Sequence, residues 1–514
     1  MKHWFLPLSA LLLAACADST PLAPSGGGVG PTPTLTGTRG VVQGGAQDIG
    51  EFRAIVARNE VPSPATLDAT GFFAEHAFDL PPATCGTAIC VNPMLAVAPR
   101  FDSTNWTMGF VTLSTAIDPA TLPRPPLHLV VTLTTSLRYL GVSRGLASIF
   151  AGLRPEDRVS VVLPGPHPRI ALHGVRPDDP RLMVSAPGTS LEGALYESLA
   201  EASAAIDTLP GFTGAHRVIV VTTGPGNGFV TDADRILGLG SALARRGVAL
   251  SVIGTGRDYR AAVPAALGSL GAGTYAYAED DTNMEQILRA EGETRLHPIA
   301  TDFRLRVTAA PGYRIGRIYG ARNAKVSGGI AELDAPAMFV GSRMGARDVG
   351  GGRRGGGSGL FVELLADASM AATIGANAPA FRVAAAWRDP ADGAMQMTSA
   401  EARNPLPPGR NPESMWPTFT DEGRGKVFMM LNLYLALRSA VSFYDDGDCA
   451  HAQGVIDMMQ LSLDPWNRRR PDPDITADGQ LLDGLRGALT RRCRAVSPVQ
   501  PRDSQRFAGG CFAI

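Results

Sequence analysis

The side chains able to do chemistry are few and scattered. Of eight histidines, His128, His167, His173 and His216 fall on different segments. No HExxH places two of them on one helical face, as a catalytic zinc site needs. His128, next to Leu127 in an apolar run, reads as a satisfied sheet residue rather than a base. Ser136 has no base at a spacing that sequence can pair with it, and no GxSxG is present. Asp118, Glu156 and Asp157 read as turn residues, the last two starting or solvating the strand after Pro155. Gly224, Gly226 and Gly228 form GPGNG after a strand. Asn227 and Phe229 break the dinucleotide fingerprint, and no phosphate-cradling GxxxxGK[ST] occurs. Gly254 and Gly256 read as turn residues following a strand. These patterns argue against an enzyme, a nucleotide site or a cofactor.

The six cysteines divide into one at the N-terminus and five in the body of the chain. Met1 to Ala15 reads MKHWFLPLSALLLAA, with Lys2 at a basic end and an apolar core from Trp4 to Leu13. That core has the length of a signal peptide and is too short for a membrane-spanning helix. Leu13-Ala14-Ala15-Cys16 resembles the bacterial lipobox, and a plain secretory signal is the competing reading. The resemblance implies that Cys16 is acylated and becomes the mature N-terminus. A thiol-linked diacylglycerol plus an N-terminal acyl chain then anchors it firmly to membrane lipid. Ala17 at the second mature position resembles outer-membrane retention signals. Such an envelope address permits disulfides. Cys85 and Cys90 are spaced for a small loop staple, Cys449 and Cys493 sit near the ends of predicted helices and could bridge them, and Cys511 is left over. Zinc is not expected, since no CxxC pair or grouped histidine supports it.

The 514 residues are 45% apolar and 18% charged, with 47 basic and 48 acidic side chains for a formal charge of −1. This is globular composition of more than one domain, and it excludes a bulk nucleic-acid binder. After the signal peptide (1–15), residues 16–45 are rich in Pro, Gly, Ser and Thr and read as a flexible tether. Residues 46–123 form a mixed N-terminal segment, partly packed on a β domain, with a short helix over Glu51–Arg58 and a weak strand over Thr107–Ala116. Residues 124–295 are clearest. Apolar strands at Leu129–Leu133, Arg158–Leu163, Arg169–Leu172, Arg217–Val221, Val248–Ile253 and Thr274–Ala278 alternate with helices. These lie at Leu140–Leu153, Leu191–Ile206, Asp232–Arg246, Arg260–Leu270 and Asn283–Ala290. This pattern predicts a doubly wound, mostly parallel sheet covered on both faces.

Residues 296–418 predict an accessory antiparallel β domain, with strands at Phe303–Val307, Leu360–Leu365 and Ala380–Trp387. Arg304 and Arg306 share one strand face. The glycine loop at 351–359, with Arg343, Arg347, Arg353 and Arg354 in and before it, reads as a solvated loop. Residues 419–494 are helical, and Val427–Val441, shorter than a membrane span, reads as a buried helix. Residues 495–514 form a tail.

RPPLHLVVTLTTSL (124–137), RPEDRVSVVL (154–163), APGTSLEGAL (186–195), HRVIVVTTGPGNGF (216–229) and GVALSVIGTG (247–256) resemble, in order and spacing, a von Willebrand factor type A domain. The wider frame resembles bacterial YfbK-type lipoproteins, with residues 49–81 a weak echo of their N-terminal segment. The resemblance spans about residues 49 to 490. It implies a metal-ion-dependent adhesion site at the C-terminal edge of the sheet, built from a DxSxS loop, a threonine and an aspartate. In this sequence those positions fall on Thr134, Ser136, Arg138, Thr189 and Thr223. Both carboxylates are missing and an arginine replaces one hydroxyl. A hard divalent cation wants charged oxygen ligands, and a nearby guanidinium repels it. The site is therefore degenerate, with no metal expected.

The expected function is that of a lipid-anchored bacterial envelope protein, in the outer membrane, whose degenerate A-like domain contacts an envelope protein without metal. The edge at 134–139, 187–190 and 223–229 would carry that contact. The alternatives are a purely structural envelope scaffold and a hydrolase whose site is assembled from distant segments.

Overall fold

The computed structural model describes residues 39–41, 48–76, 80–102, 105–119, 121–134, 140–164, 167–183, 195–223, 233–257, 259–270, 274–341, 359–413 and 422–494. Cys16, Ser136, Arg138, Thr189, Gly224, Gly226, Gly228, Asp232, Cys511 and the arginines of the 342–358 stretch lie outside them. So do the tail, the signal segment and the tether apart from residues 39–41.

In chain order the first elements are β1 (Arg39–Gly40), α1 (Gly50–Ala57), α2 (Ala69–Ala74), β2 (Cys90–Pro99) and β3 (Asn105–Thr115). The A-like segment follows: β4 (Leu127–Leu133), α3 (Leu140–Ala151), β5 (Arg158–Leu163), β6 (Arg169–Val175), α4 (Leu195–Asp207), β7 (Ala215–Thr222), α5 (Ala233–Arg245), β8 (Ala249–Thr255), α6 (Ala262–Gly268), β9 (Tyr275–Ala278) and α7 (Asp281–Glu293). Seven strands come next: β10 (Leu296–Ala309), β11 (Tyr313–Tyr319), β12 (Lys325–Ser327), β13 (Ile330–Gly341), β14 (Gly359–Ala366), β15 (Pro379–Arg388) and β16 (Met395–Arg403). Three helices close the described chain: α8 (Glu422–Asp445), α9 (Cys449–Arg469) and α10 (Pro473–Arg494).

Strands β4 to β9 make one sheet in the order β6-β5-β4-β7-β8-β9. All its pairings are parallel except β5 with β6. The strand order reverses beside β4, as in von Willebrand factor A-like doubly wound folds. The near-continuous apolar runs follow from burial on both faces. Val130, Val218, Val220, Leu250 and Val252 pack under α4, α5 and α6. Their neighbours Leu129, Val131, Leu133, Ile219, Val221 and Ile253 pack under α3 and α7. Helices α3 and α7 approach so closely that a Cβ on Gly145 would stand 2.6 Å from the Leu288 Cβ. Gly254 corrects the turn reading. It lies inside β8, where the absent side chain makes room for the buried Tyr259 ring, and only Gly256, at φ +102°, has the left-handed backbone of a turn glycine.

The other strands form two antiparallel sheets. One joins β1, β2, β3, β14 and β11, and the other runs β12-β13-β10-β15-β16. Val91, Val111, Val362 and Leu364 of the first face Phe303, Leu305, Phe381 and Trp387 of the second in one core. On its other face the first sheet presents Trp106, Met108, Phe110 and Phe361 to α1, α2 and α8–α10. The resulting layers are sheet, sheet, helices. As expected, Arg304 and Arg306 share the solvent face of β10, opposite Asp334 and Glu332.

Helix α8 departs from one expectation. Gly425–Asp445, 21 residues of mean hydropathy 1.4, is long and apolar enough to span a membrane, yet 67% of that stretch is buried within the protein. Polar side chains tie these layers together. Asn432 of α8 accepts from the Phe101 backbone N–H at 2.9 Å, and the fully buried His76 and Asp478 meet at 2.6 Å. Two disulfides, Cys85–Cys90 and Cys449–Cys493, are present with Cα separations of 5.6 and 5.7 Å. The second joins the start of α9 to the end of α10.

Candidate functional site

Strands β4, β7 and β8 end side by side, and each ends in or beside threonine. Thr134 follows β4, Thr222 ends β7 with Thr223 next, and Thr255 ends β8. The Thr134 backbone N–H donates to the Val221 carbonyl at 3.0 Å, extending the β4–β7 ladder by one step. Its hydroxyl donates to the Thr222 hydroxyl at 2.8 Å, and Thr134 is only 2% exposed. Thr255 donates to the Ala278 carbonyl at 2.8 Å. Thr223 is half-buried. Thus Thr134 and Thr223, two of the five positions where the resemblance puts the adhesion site, lie together at the sheet edge, and the Thr134 hydroxyl donates within it. The other three, Ser136, Arg138 and Thr189, fall outside the described residues. Among the described residues no group of three His, Cys, Asp or Glu side chains could hold a metal ion. Sequence reasoning did not single out Asp281. This carboxylate at the start of α7 accepts from the Gly141 backbone N–H at 3.0 Å and so caps α3 across the loop.

His128 and Ser160 form a histidine–serine contact at 2.8 Å in the sheet. His128 is fully buried, its Nδ1 lies 3.2 Å from His216 Nδ1, and Ser160 Oγ also accepts from the Gly174 backbone N–H at 2.9 Å. Burial, helped by the neighbouring His216 and His173, pulls the His128 pKa down to about 3. A neutral imidazole with no route to substrate is a sheet residue, as expected, and no base. Asp157 corrects its reading as a solvating turn residue. It is fully buried, and its carboxylate accepts from Leu127 N at 2.8 Å, Arg154 N at 2.7 Å and Arg124 at 3.0 Å. It thereby pins the entry of β4 beside that of β5.

A second concave feature was not legible in the sequence. A cleft of about 420 Å³ lies among α1, the chain before α2, the entry of α6, β9, the turn after β11 and α8. Glu51 and Arg438, on its walls, lie in segments that sequence patterning marks only as helical.

No family model matches the chain, and no curated protein matches it. Among solved structures it is similar to a von Willebrand factor type A protein from Catenulispora acidiphila, at 13% identity and a TM-score of 0.45, over 82% of this chain and 92% of that one. It is also similar to the ArnB paralog VWA2 from Sulfolobus acidocaldarius, at 12% identity and a TM-score of 0.40, over 80% of this chain and 98% of that one.

Proposed function

We propose that this chain is a lipid-anchored protein of a bacterial cell envelope, held in the outer membrane through an acylated Cys16. Its A-like domain contacts another envelope protein without a metal ion. The observation that carries the reading is Thr134. Where the adhesion-site pattern has its first aspartate, this chain has a buried threonine whose hydroxyl is donated to Thr222. A neutral hydroxyl supplies none of the negative charge that a hard divalent cation requires. The edge is then left to bind through side-chain complementarity, with Arg138 available to a partner carboxylate.

Titration calorimetry of the full chain in detergent with magnesium, manganese and calcium tests the metal-free part. The expected result is no heat and no change in melting temperature, and micromolar binding at one site would overturn it. Cys16→Ser should move the protein from the membrane to the soluble fraction. Capture from envelope extract should lose its partner on Arg138→Ala. The internal satisfaction of Thr134 and Thr255 favours one alternative, a purely structural scaffold. Under that reading Arg138→Ala changes nothing, and deleting residues 420–514 abolishes the phenotype.

A further inference from the structure

The cleft among α1, α6, β9, the turn after β11 and α8 has walls of opposite charge. Glu51 lines it at 7% exposure, and its Oε2 has no hydrogen-bond partner. Tyr275 lines the cleft beside it, its hydroxyl paired with that of Tyr259. Burial outweighs the hydrogen bond from the Ala261 backbone and raises the Glu51 pKa to about 7. Across the cleft α8 contributes the half-buried Arg438, which makes no ion pair among the described residues.

Arg322 is differently placed. It donates to Asp68 at 3.0 and 2.7 Å and to the Ala265 carbonyl at 2.6 Å. Those contacts spend it on clamping the turn after β11 to α2 and α6, which fixes the shape of the cleft. Tyr319 and Tyr434 also line it, edge to face at 6.4 Å between centroids. An unmatched buried carboxylate is costly to keep, and a free guanidinium on the same cleft does not neutralise it. A ligand bearing both complementary charges would satisfy both groups. A volume of about 420 Å³ falls at the small end of ligand sites.

We propose that this cleft binds a small zwitterion of amino-acid or dipeptide size, its ammonium group on Glu51, its carboxylate on Arg438. This site is independent of the sheet edge.

The full chain in detergent would be screened by thermal shift against the twenty L-amino acids and glycylglycine at millimolar concentration. Putrescine and succinate serve as probes carrying only one kind of charge. At least one zwitterion should raise the melting temperature by a few degrees and titrate calorimetrically to one site, while putrescine and succinate do not. Glu51→Gln and Arg438→Met should each weaken that binding by about tenfold or more with unchanged far-UV circular dichroism. If Glu51→Gln fails to fold, Arg438→Met on the exposed side of the cleft still decides. The proposal is overturned if no zwitterion shifts the transition, if putrescine or succinate shifts it equally, or if a folded variant binds like the parent.

Discussion

Glu51→Gln should stabilise this protein at alkaline pH and leave it nearly unchanged in mild acid. The carboxyl is 7% exposed, and burial raises its pKa from 4.5 to about 7. For an acid whose folded pKa is raised, the folded state keeps a proton that the unfolded chain has released. Stability therefore falls as pH rises through that window. The cost is absent below about pH 4.5, grows until about pH 7, and persists above it. At 1.36 kcal/mol per pH unit it amounts to about 3 kcal/mol. Glutamine keeps the shape and the acceptor for Ala261 but never ionises. The assay is the melting temperature of parent and variant at pH 5 and pH 8, compared as a double difference. A chain of several packed layers need not unfold in two states, and the double difference cancels every other titrating group. The variant should gain at pH 8 and little at pH 5. Parallel profiles for the two proteins would show that the carboxylate already has a partner, and would also remove the motive for a ligand in the cleft. A zwitterion that binds should erase the advantage of the variant at pH 8.

His128 acts in the opposite sense. Its folded pKa of about 3 lies below the ordinary 6.5, so its contribution is present above about pH 6.5 and lost as pH falls. His128→Gln should flatten the acid limb by up to about 5 kcal/mol, and an unchanged acid limb by urea denaturation would refute the assignment. Between about pH 4.5 and 6.5 the two groups oppose each other, so Glu51→Gln alone should steepen the rise in stability with pH. Glu291 is fully buried and holds Arg217, Ser251 at 2.7 Å and Thr274. Glu291→Ala strands the Arg217 charge, which should cost about 3–5 kcal/mol by urea denaturation, and a loss below about 1 kcal/mol would show the pair to be solvated. Replacing Cys449 and Cys493 by serine opens a closure of 44 residues, against 5 for Cys85 and Cys90. Loop entropy gives about 4 and about 2 kcal/mol respectively, so the melting temperature should fall further for the first pair, and the reverse order would refute the entropic account.

The parallel sheet was readable because its physics is local. A strand buried on both faces must be apolar throughout, so LHLVVTL and RVIVV announce themselves. Helices of 12 or 13 residues between them, such as α3 and α4, complete the pattern. The sandwich was harder. Strands β2, β10 and β13 run through Pro93, Pro298 and Pro336, which sequence reasoning takes as breaks. Strand β16 (MQMTSAEAR) is an edge with most residues exposed or half-buried, and it has too few apolar positions for alternation to show. The pairing of β3 with β14 joins residues 105–115 to residues 359–366, a partnership that no local signal carries.

The sites divide along the same line. Thr134 and Thr223, where the resemblance puts carboxylates, could be picked out directly, because that pattern lies at fixed offsets from strands already recognised. Likewise the disulfide of Cys449 with Cys493 follows from two helix ends. Glu51, Tyr275 and Arg438 share a cleft only because the N-terminal helix, the A-like sheet and α8 pack together. Each alone is an ordinary residue of its element. What distinguishes Glu51 is a desolvation that its backbone donor at Ala261 does not offset, a property of the assembled protein. Sequence exposes chemistry that is encoded in spacing within one element or one loop. A site made where separate layers meet becomes visible only when burial is weighed against hydrogen bonding, group by group.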